Sequence, residues 1–302
     1  GIMEHVEEAG VHSGDSACVI PPVGLSESTV AVIEDYTRRI AAELDVLGLI
    51  NVQFAVKRSG EDPDTAQVFV IEANPRASRT VPFVAKATGV PLVKIAARVM
   101  CGATLRELSD EGLLRSKVEG DHIAVKEAVL PWSRFPDVDA VLGPEMRSTG
   151  EVMGIDTTVG MAFAKSQLAA GDRMPTSGTV FFSLADRDKE VGTRAARRFA
   201  DLGFSIVATS GTASRLTEAG VPVAKVVAKL TPLPNAPTGP GDVGEDAVVL
   251  IAGGEVDLVV NSPRGRGPRA DGAHIRSAAA RHQIPLLTTA AAALAAANGV
   301  AD

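Results

Sequence analysis

The chain has 302 residues, 45% of them apolar and 22% charged, and a net charge of −7 at neutral pH. That length accommodates two or three domains with ordinary globular cores, and the negative balance argues against a general binder of nucleic acid or membrane surfaces. Its two cysteines, Cys18 and Cys101, stand far apart and in no metal-ligand pattern, which is not a disulfide framework and fits a reducing cytoplasm.

No apolar run is long enough to span a bilayer. The opening segment, residues 1–8, is acidic, lacks an apolar signal segment and begins abruptly, as if cut from something longer. Residues 16–22 form a short apolar run closed by two prolines. Val30, Ile33, Ile40, Leu44 and Leu47 fall at helical spacing and predict a helix over 27–47, with Ser26 as its N-cap and Gly48 as its end. Residues 51–57 then alternate, with Val52, Phe54 and Val56 on one face. Residues 68–73 are a second strand, and the polar stretch 58–64 between them predicts an antiparallel hairpin. A helix is expected over 91–101, a strand over 123–130, and an ordered loop over 143–154. A further helix over 158–170 leads into the Gly/Pro/Ser-rich stretch 171–178, the best domain boundary.

Beyond that boundary strands and helices alternate. Strands are expected over 179–184, 204–208, 223–227, 256–260 and 284–287. Helices are expected over 189–202, 213–219, 246–252 and 273–282, and in a final stretch ending near Asn298. A Pro/Gly-rich loop fills 231–244. Strict alternation implies a mostly parallel sheet covered on both faces.

Two places carry chemistry in the first region. Glu72 and Asn74 lie two apart on a strand and so point the same way. They can present two oxygens to one hard cation, with the Gln53 amide oxygen from the neighbouring strand. Arg76, just beyond, can neutralise a transferring phosphoryl group. The glycine-bounded stretch Gly10-Val11-His12-Ser13-Gly14-Asp15-Ser16 permits close backbone approach to a ligand. Composition alone favours the plainer reading of a solvated hairpin end and a surface turn. In the second region the strand ends present Thr209-Ser210-Gly211-Thr212, Lys229, Asn261-Ser262 and Thr288-Thr289. Those hydroxyls and a helix start suit an anion, with Lys189 adding charge, although Thr and Ser also cap helices.

Five motifs resemble the second ATP-grasp unit of carbamoyl phosphate synthetase large subunits: Gly1-Ile2-Met3-Glu4-His5, the 10–16 stretch, Asn51-Val52-Gln53-Phe54-Ala55-Val56-Lys57, Asn74-Pro75-Arg76-Ala77-Ser78-Arg79-Thr80-Val81-Pro82-Phe83, and residues 143–154. The second region resembles the methylglyoxal synthase-like allosteric domain that closes the same subunit. The resemblance implies an α/β chain in which a partial ATP-grasp α+β unit (1–154) is followed by a helix and linker (155–178) and a doubly wound parallel-sheet domain (179–302). It implies ATP-dependent phosphorylation of carbamate for arginine and pyrimidine biosynthesis, in the cytoplasm, with a glutamine amidotransferase small subunit and the rest of the large subunit as partners. On that reading Gln53, Glu72 and Asn74 hold Mg²⁺ or Mn²⁺ on the nucleotide, Arg76 faces the phosphates, and His12 and Ser13 line the ATP site. Lys189, Thr209, Thr212, Lys229 and Asn261 match effector-nucleotide positions for UMP or IMP. Glu7, Asp15, Glu127 and Thr288 match an ornithine site.

The sequence departs from the family in two respects. The charged insertion 61–67 lengthens the hairpin, and Pro263 stands where a hydroxyl residue is more usual. This chain alone is expected to make no carbamoyl phosphate. The alternatives are an effector-binding module only, or a methylglyoxal synthase-type phosphate lyase. Glu245, where that lyase would carry its Asp base, and Arg269, where it would carry its His, count against the lyase.

Overall fold

The computed structural model describes residues 1–57, 65–115, 121–135, 138–228, 246–263 and 272–302. β1 (Glu4–His5) pairs antiparallel with β2 (Cys18–Ile20). α1 (Glu27–Glu43) is capped by Ser26, whose hydroxyl accepts from the Thr29 N–H at 3.3 Å. The helix stops short of the expected Leu47, because Asp45 turns left-handed at φ 46° before Gly48 is reached.

β3 (Asn51–Lys57) and β4 (Gln67–Asn74) form the expected antiparallel hairpin. The register shifts between Gln53 and Phe54, so Ile71 of β4 is the extra residue of a bulge. Phe69, Val70 and Ile71 are all about half exposed. The polar turn at 58–64, and with it most of the charged insertion, lies outside the described residues.

The expected second helix is α3 (Leu92–Met100). Two more flank it that the sequence reading left out: α2 (Val81–Thr88), ended by Gly89 at φ 66°, and α4 (Leu105–Asp110), started by a Thr104–Glu107 capping box. β5 (Ile123–Val129) and β6 (Gly150–Asp156) complete an antiparallel sheet in the order β1-β2-β5-β6. β6 corrects the loop expected at 143–154. Two glycines hid it, and Gly154 has a steric reason to be there. A Cβ at that position would stand 2.1 Å from the Ala162 carbonyl oxygen of α5 (Val159–Ala170), which lies directly on the sheet.

The second region follows the expected alternation. Its elements are β7 (Thr179–Ser183), α6 (Lys189–Asp201), β8 (Ser205–Thr209), α7 (Ser210–Glu218), β9 (Lys225–Val227), α8 (Ala247–Ala252), β10 (Leu258–Asn261), α9 (Ala273–Arg281), β11 (Leu286–Leu287) and α10 (Ala290–Ala301). The last helix runs past Asn298 to Ala301. The Pro-rich loop at 232–244 lies outside the described residues.

The five strands are parallel, in the order β11-β10-β7-β8-β9. Val180, Phe182, Ile206, Ala208, Leu258 and Val260 pack beneath α6, α7 and α10 on one face; Phe181, Val207 and Val259 pack beneath α8 and α9 on the other. The sheet is thus doubly wound, and its strand order reverses between β7 and β10. The first core also includes Ala17, Val19, Val125, Ala162 and Phe163, so hydrophobic packing is continuous across the 171–178 boundary. No described helix is long and apolar enough to cross a membrane.

Candidate functional site

The candidate side chains fall into three groups. At the open end of the hairpin, Gln53 is the cross-strand partner of Glu72, and Asn51 that of Asn74. Asn74 Nδ2 donates to Glu72 Oε1 at 2.9 Å, and Gln53 Nε2 donates to Ser13 Oγ at 3.1 Å. The strand pair and the 10–16 loop therefore meet. In that loop His12 N–H donates to the Gly143 carbonyl at 2.8 Å, and His12 Nδ1 accepts from the Gly14 N–H at 3.0 Å. Nδ1 being the acceptor, the neutral ring carries its proton on Nε2 as a donor. Arg76 is exposed just beyond β4, its Nη1 donating to the Ala77 carbonyl at 3.2 Å. Among the described residues no cluster of three His, Cys, Asp or Glu side chains forms a metal site. The hairpin set falls outside that type, since it joins one carboxylate to two amides.

The second group lines a cavity of about 590 Å³ whose walls include Glu7, Asp15, Glu127 and Thr288. Asp15 is buried and held by the loop before β6: its two carboxylate oxygens accept from the Arg147 N–H at 2.7 Å and the Ser148 N–H at 2.8 Å. Glu7 Oε2 accepts from the Ala17 N–H at 2.6 Å, and Glu127 Oε2 from Gln167 Nε2 at 2.5 Å. Burial pushes the Glu7 carboxyl up to about 7. Burial, with the charge of Glu7 beside it, pushes Glu127 up to about 8. Lys126, fully buried on β5 next to Glu127, reaches the 10–16 loop: its Nζ donates to the Ser13 carbonyl at 2.9 Å and faces Glu151 at 3.6 Å.

The third group sits at the carboxyl ends of β7, β8 and β10, where the strand order reverses. Such a switch point is the usual ligand crevice of an open parallel sheet. Thr209 Oγ1 lies 3.3 Å from Thr212 Oγ1, which accepts from the Leu184 N–H at 2.9 Å. Thr209 is the N-cap of α7 yet makes no side-chain cap bond, and Ser210 and Gly211 are exposed. The first turn of α7 thus presents uncapped N–H groups at its positive end. Lys189 Nζ hangs over that turn, 3.8 Å from where a Gly211 Cβ would lie, and pairs with Asp186 at 2.7 Å.

Asn261 stands at the same strand ends and is committed to protein partners. It is 1% exposed, its Nδ2 donates to the Ser183 carbonyl at 3.3 Å, and its Oδ1 accepts from Arg276 Nη1 at 2.6 Å. Lys229 lies outside the described residues, as do Glu245 and Arg269.

Sequence reasoning missed Lys126, Asp139, Arg147, Ser148, Gln167 and Arg276. Only Lys126 left a signal: a lysine amid Ile123-Ala124-Val125 and Ala128-Val129 stands on a buried strand, where lysine is rare unless paired. The others act through partners far away in sequence.

Residues 2–108 match the family model for the carbamoyl-phosphate synthase L chain, ATP binding domain, and residues 193–288 match that for the MGS-like domain. The chain is 52% identical over 300 residues to the carbamoyl phosphate synthase large chain of Rubrobacter xylanophilus, covering 99% of this chain and 26% of that one. It is 50% identical over 303 residues to the large chain of Acidobacterium capsulatum (100% and 26%) and 51% identical over 312 residues to that of Mycobacterium tuberculosis (99% and 27%). The chain thus spans about a quarter of the length of the curated relatives it matches. Its mixed α/β architecture, with a five-stranded parallel sheet, fits an MGS-like domain after a partial ATP-grasp unit.

Proposed function

We propose that this chain, which corresponds to the C-terminal part of a carbamoyl phosphate synthase large chain, supplies the metal-holding end of the ATP site that phosphorylates carbamate and couples it to two effector sites. The observation that carries the reading is the meeting of Gln53, Glu72 and Asn74 with the His12–Ser13 loop at one hairpin end.

The donor set fits a hard cation. One carboxylate and two amide oxygens, without sulfur or imidazole, suit Mg²⁺ or Mn²⁺ when nucleotide phosphates and water complete the shell. When bound, the ion offsets charge on the phosphates. Glu72 and Asn74 then orient it from one strand and Gln53 from the other. His12 Nε2–H and Ser13 are placed to donate to the nucleotide, and the Arg76 guanidinium steadies the transferring phosphoryl group. Such a site works by positioning and electrostatics. In a full-length large chain with its glutamine amidotransferase partner in the cytoplasm, Glu72→Gln should lower carbamate-dependent ATP turnover about 10²-fold, the scale of losing one preorganised electrostatic contact. An unchanged rate would remove Glu72 from the site.

The strand ends at the switch point are assigned to a nucleoside monophosphate, UMP or IMP, with its phosphate at the exposed first turn of α7 beneath Lys189. The carboxylate cavity is assigned to ornithine, whose two ammonium groups meet Glu7, Glu127 and Asp15. Calorimetry on the 302-residue chain should show UMP binding weakened by about 1.5–3 kcal/mol in Lys189→Ala, the range for a charge-assisted hydrogen bond. No heat with UMP or IMP and the unaltered chain would count against the effector reading.

A further inference from the structure

Arg276 of α9 is a fully buried cation with no part in the function so far. Its Nε and Nη2 donate to the two carboxylate oxygens of Asp139, each at 2.7 Å, and its Nη1 donates to Asn261 Oδ1 at 2.6 Å. Asp139 belongs to the first region, and Asn261 ends β10 at the switch point of the second. Although burial works to raise it, the Arg276 hydrogen bonds and charge hold the Asp139 carboxyl below its ordinary range.

From Asp139 the contacts continue. Its main-chain carbonyl accepts from Arg147 Nη1 at 3.0 Å. The Arg147 and Ser148 N–H groups are the two that Asp15 holds, and Ser148 Oγ donates to the Gly14 carbonyl at 2.9 Å. The Arg147 guanidinium stands 6.0 Å from the centre of the Trp132 ring. Trp132, the only tryptophan of the chain, lines the carboxylate cavity.

We propose that Arg276 is a latch between the two regions, through which a change at Asn261, at the switch-point end of β10, is felt at Arg147, Trp132 and the Asp15 loop. The physical reason lies in the donor count. A buried guanidinium that loses an acceptor is left with an unpaired N–H on a charged group, a larger cost than a neutral loss. A ligand that draws the Asn261 side chain toward itself takes Oδ1 away from Nη1, and the planar fork then relaxes by shifting on Asp139. The space is closed: a Cβ on Gly272 would lie 2.7 Å from Asn261 Oδ1 and 3.0 Å from Arg276 Nη1. Packing that tight passes displacement on instead of absorbing it. The latch stands on the contacts alone; only its use by a nucleotide rests on the effector reading above.

The test separates the two. In the ligand-free 302-residue chain, Asn261→Asp sets a second carboxylate against Arg276. It should shift Trp132 emission and acrylamide quenching, and the shift should be lost in an Asp139→Asn background. Asn261→Ala, which removes the acceptor without adding charge, is the second variant should the first not fold. A Trp132 signal that responds to neither, in variants with native circular dichroism, overturns the latch. So does a response of the same size with Asp139→Asn. UMP is then added to the unaltered chain and to Asp139→Asn. Binding to both with the Trp132 response kept only in the former supports the latch; equal responses overturn it. No calorimetric heat in either defeats the nucleotide reading alone, since the ligand-free arm has by then decided the latch.

Discussion

The two glutamates of the carboxylate cavity show what single residues contribute. Burial disfavours the charged forms of Glu7 and Glu127 and pushes their carboxyls up from an ordinary 4.5 to about 7 and about 8, the charge of Glu7 adding to the rise at Glu127. The native state therefore holds more protons than the unfolded state between about pH 4.5 and 8. The stability these groups contribute is complete below about 4.5, declines as pH rises through that window, and is gone above about 8. A diammonium ligand reverses the preference, because it favours the ionised carboxylates. Ornithine binding should tighten as pH rises from 6 to 8 and release protons, which calorimetry in buffers of different ionisation enthalpy would register; Glu127→Gln should remove the upper part of that dependence. Binding that ignores pH across the window would show that the diamine does not sit between these carboxylates. At this scale the sequence is legible only in part. The two-residue spacing of Glu72 and Asn74 follows from strand geometry and needs no tertiary information. The partners of Lys126 and Arg276 lie 113 and 137 positions away, and no local pattern encodes such distances. Asn261 was found at its strand end, but its commitment to Arg276 was invisible for the same reason.

Among the elements, helices and strands with clean periodicity were read within a few residues, and the failures have physical causes. β6 was missed because Gly150 and Gly154 look like loop residues, yet Gly154 is what lets α5 lie on the strand. α2 and α4, with 8 and 6 residues, are too short to show a period. The contact of α5 with α10 depends on glycine in the same way. A Cβ on Gly160 would lie 2.7 Å from the Gly299 nitrogen, and a Cβ on Gly299 would lie 2.4 Å from the Gly160 carbonyl oxygen. Two backbones that close leave no room for a side chain. Gly160→Val should therefore destabilise the chain by about 1–3 kcal/mol as overpacking, despite the roughly 0.5 kcal/mol that valine gains over glycine in helix propensity. Leu168→Ala, on the exposed side of the same helix, should change the melting temperature little. Equal effects from the two changes would mean that α5 and α10 do not meet at their glycines.

For the whole molecule, the division visible in sequence is not a division of the core. The stretch 171–178 separates an antiparallel region from a parallel one, but α5 lies N-terminal to it and packs its Ala162 and Phe163 into the cluster built on Val180, Phe182, Leu258 and Val260. Phe163 is 1% exposed and also forms part of the carboxylate cavity wall. Chains of this length often unfold domain by domain, with each domain keeping its own stability. A shared core predicts otherwise, because neither region can leave without exposing apolar surface of the other. Phe163→Ala should cost about 3–5 kcal/mol, the range for truncating a buried phenylalanine, and the loss should appear on both sides of the boundary. Hydrogen exchange followed by mass spectrometry can read peptides from β5 and β6 separately from those of β7 and β10. Protection should fall by similar factors in both sets, and Trp132 fluorescence should melt together with the far-ultraviolet circular dichroism. Exchange that quickens in β5 and β6 while β7 and β10 keep their full protection would mean that the parallel sheet folds as an independent unit, with α5 resting on its surface.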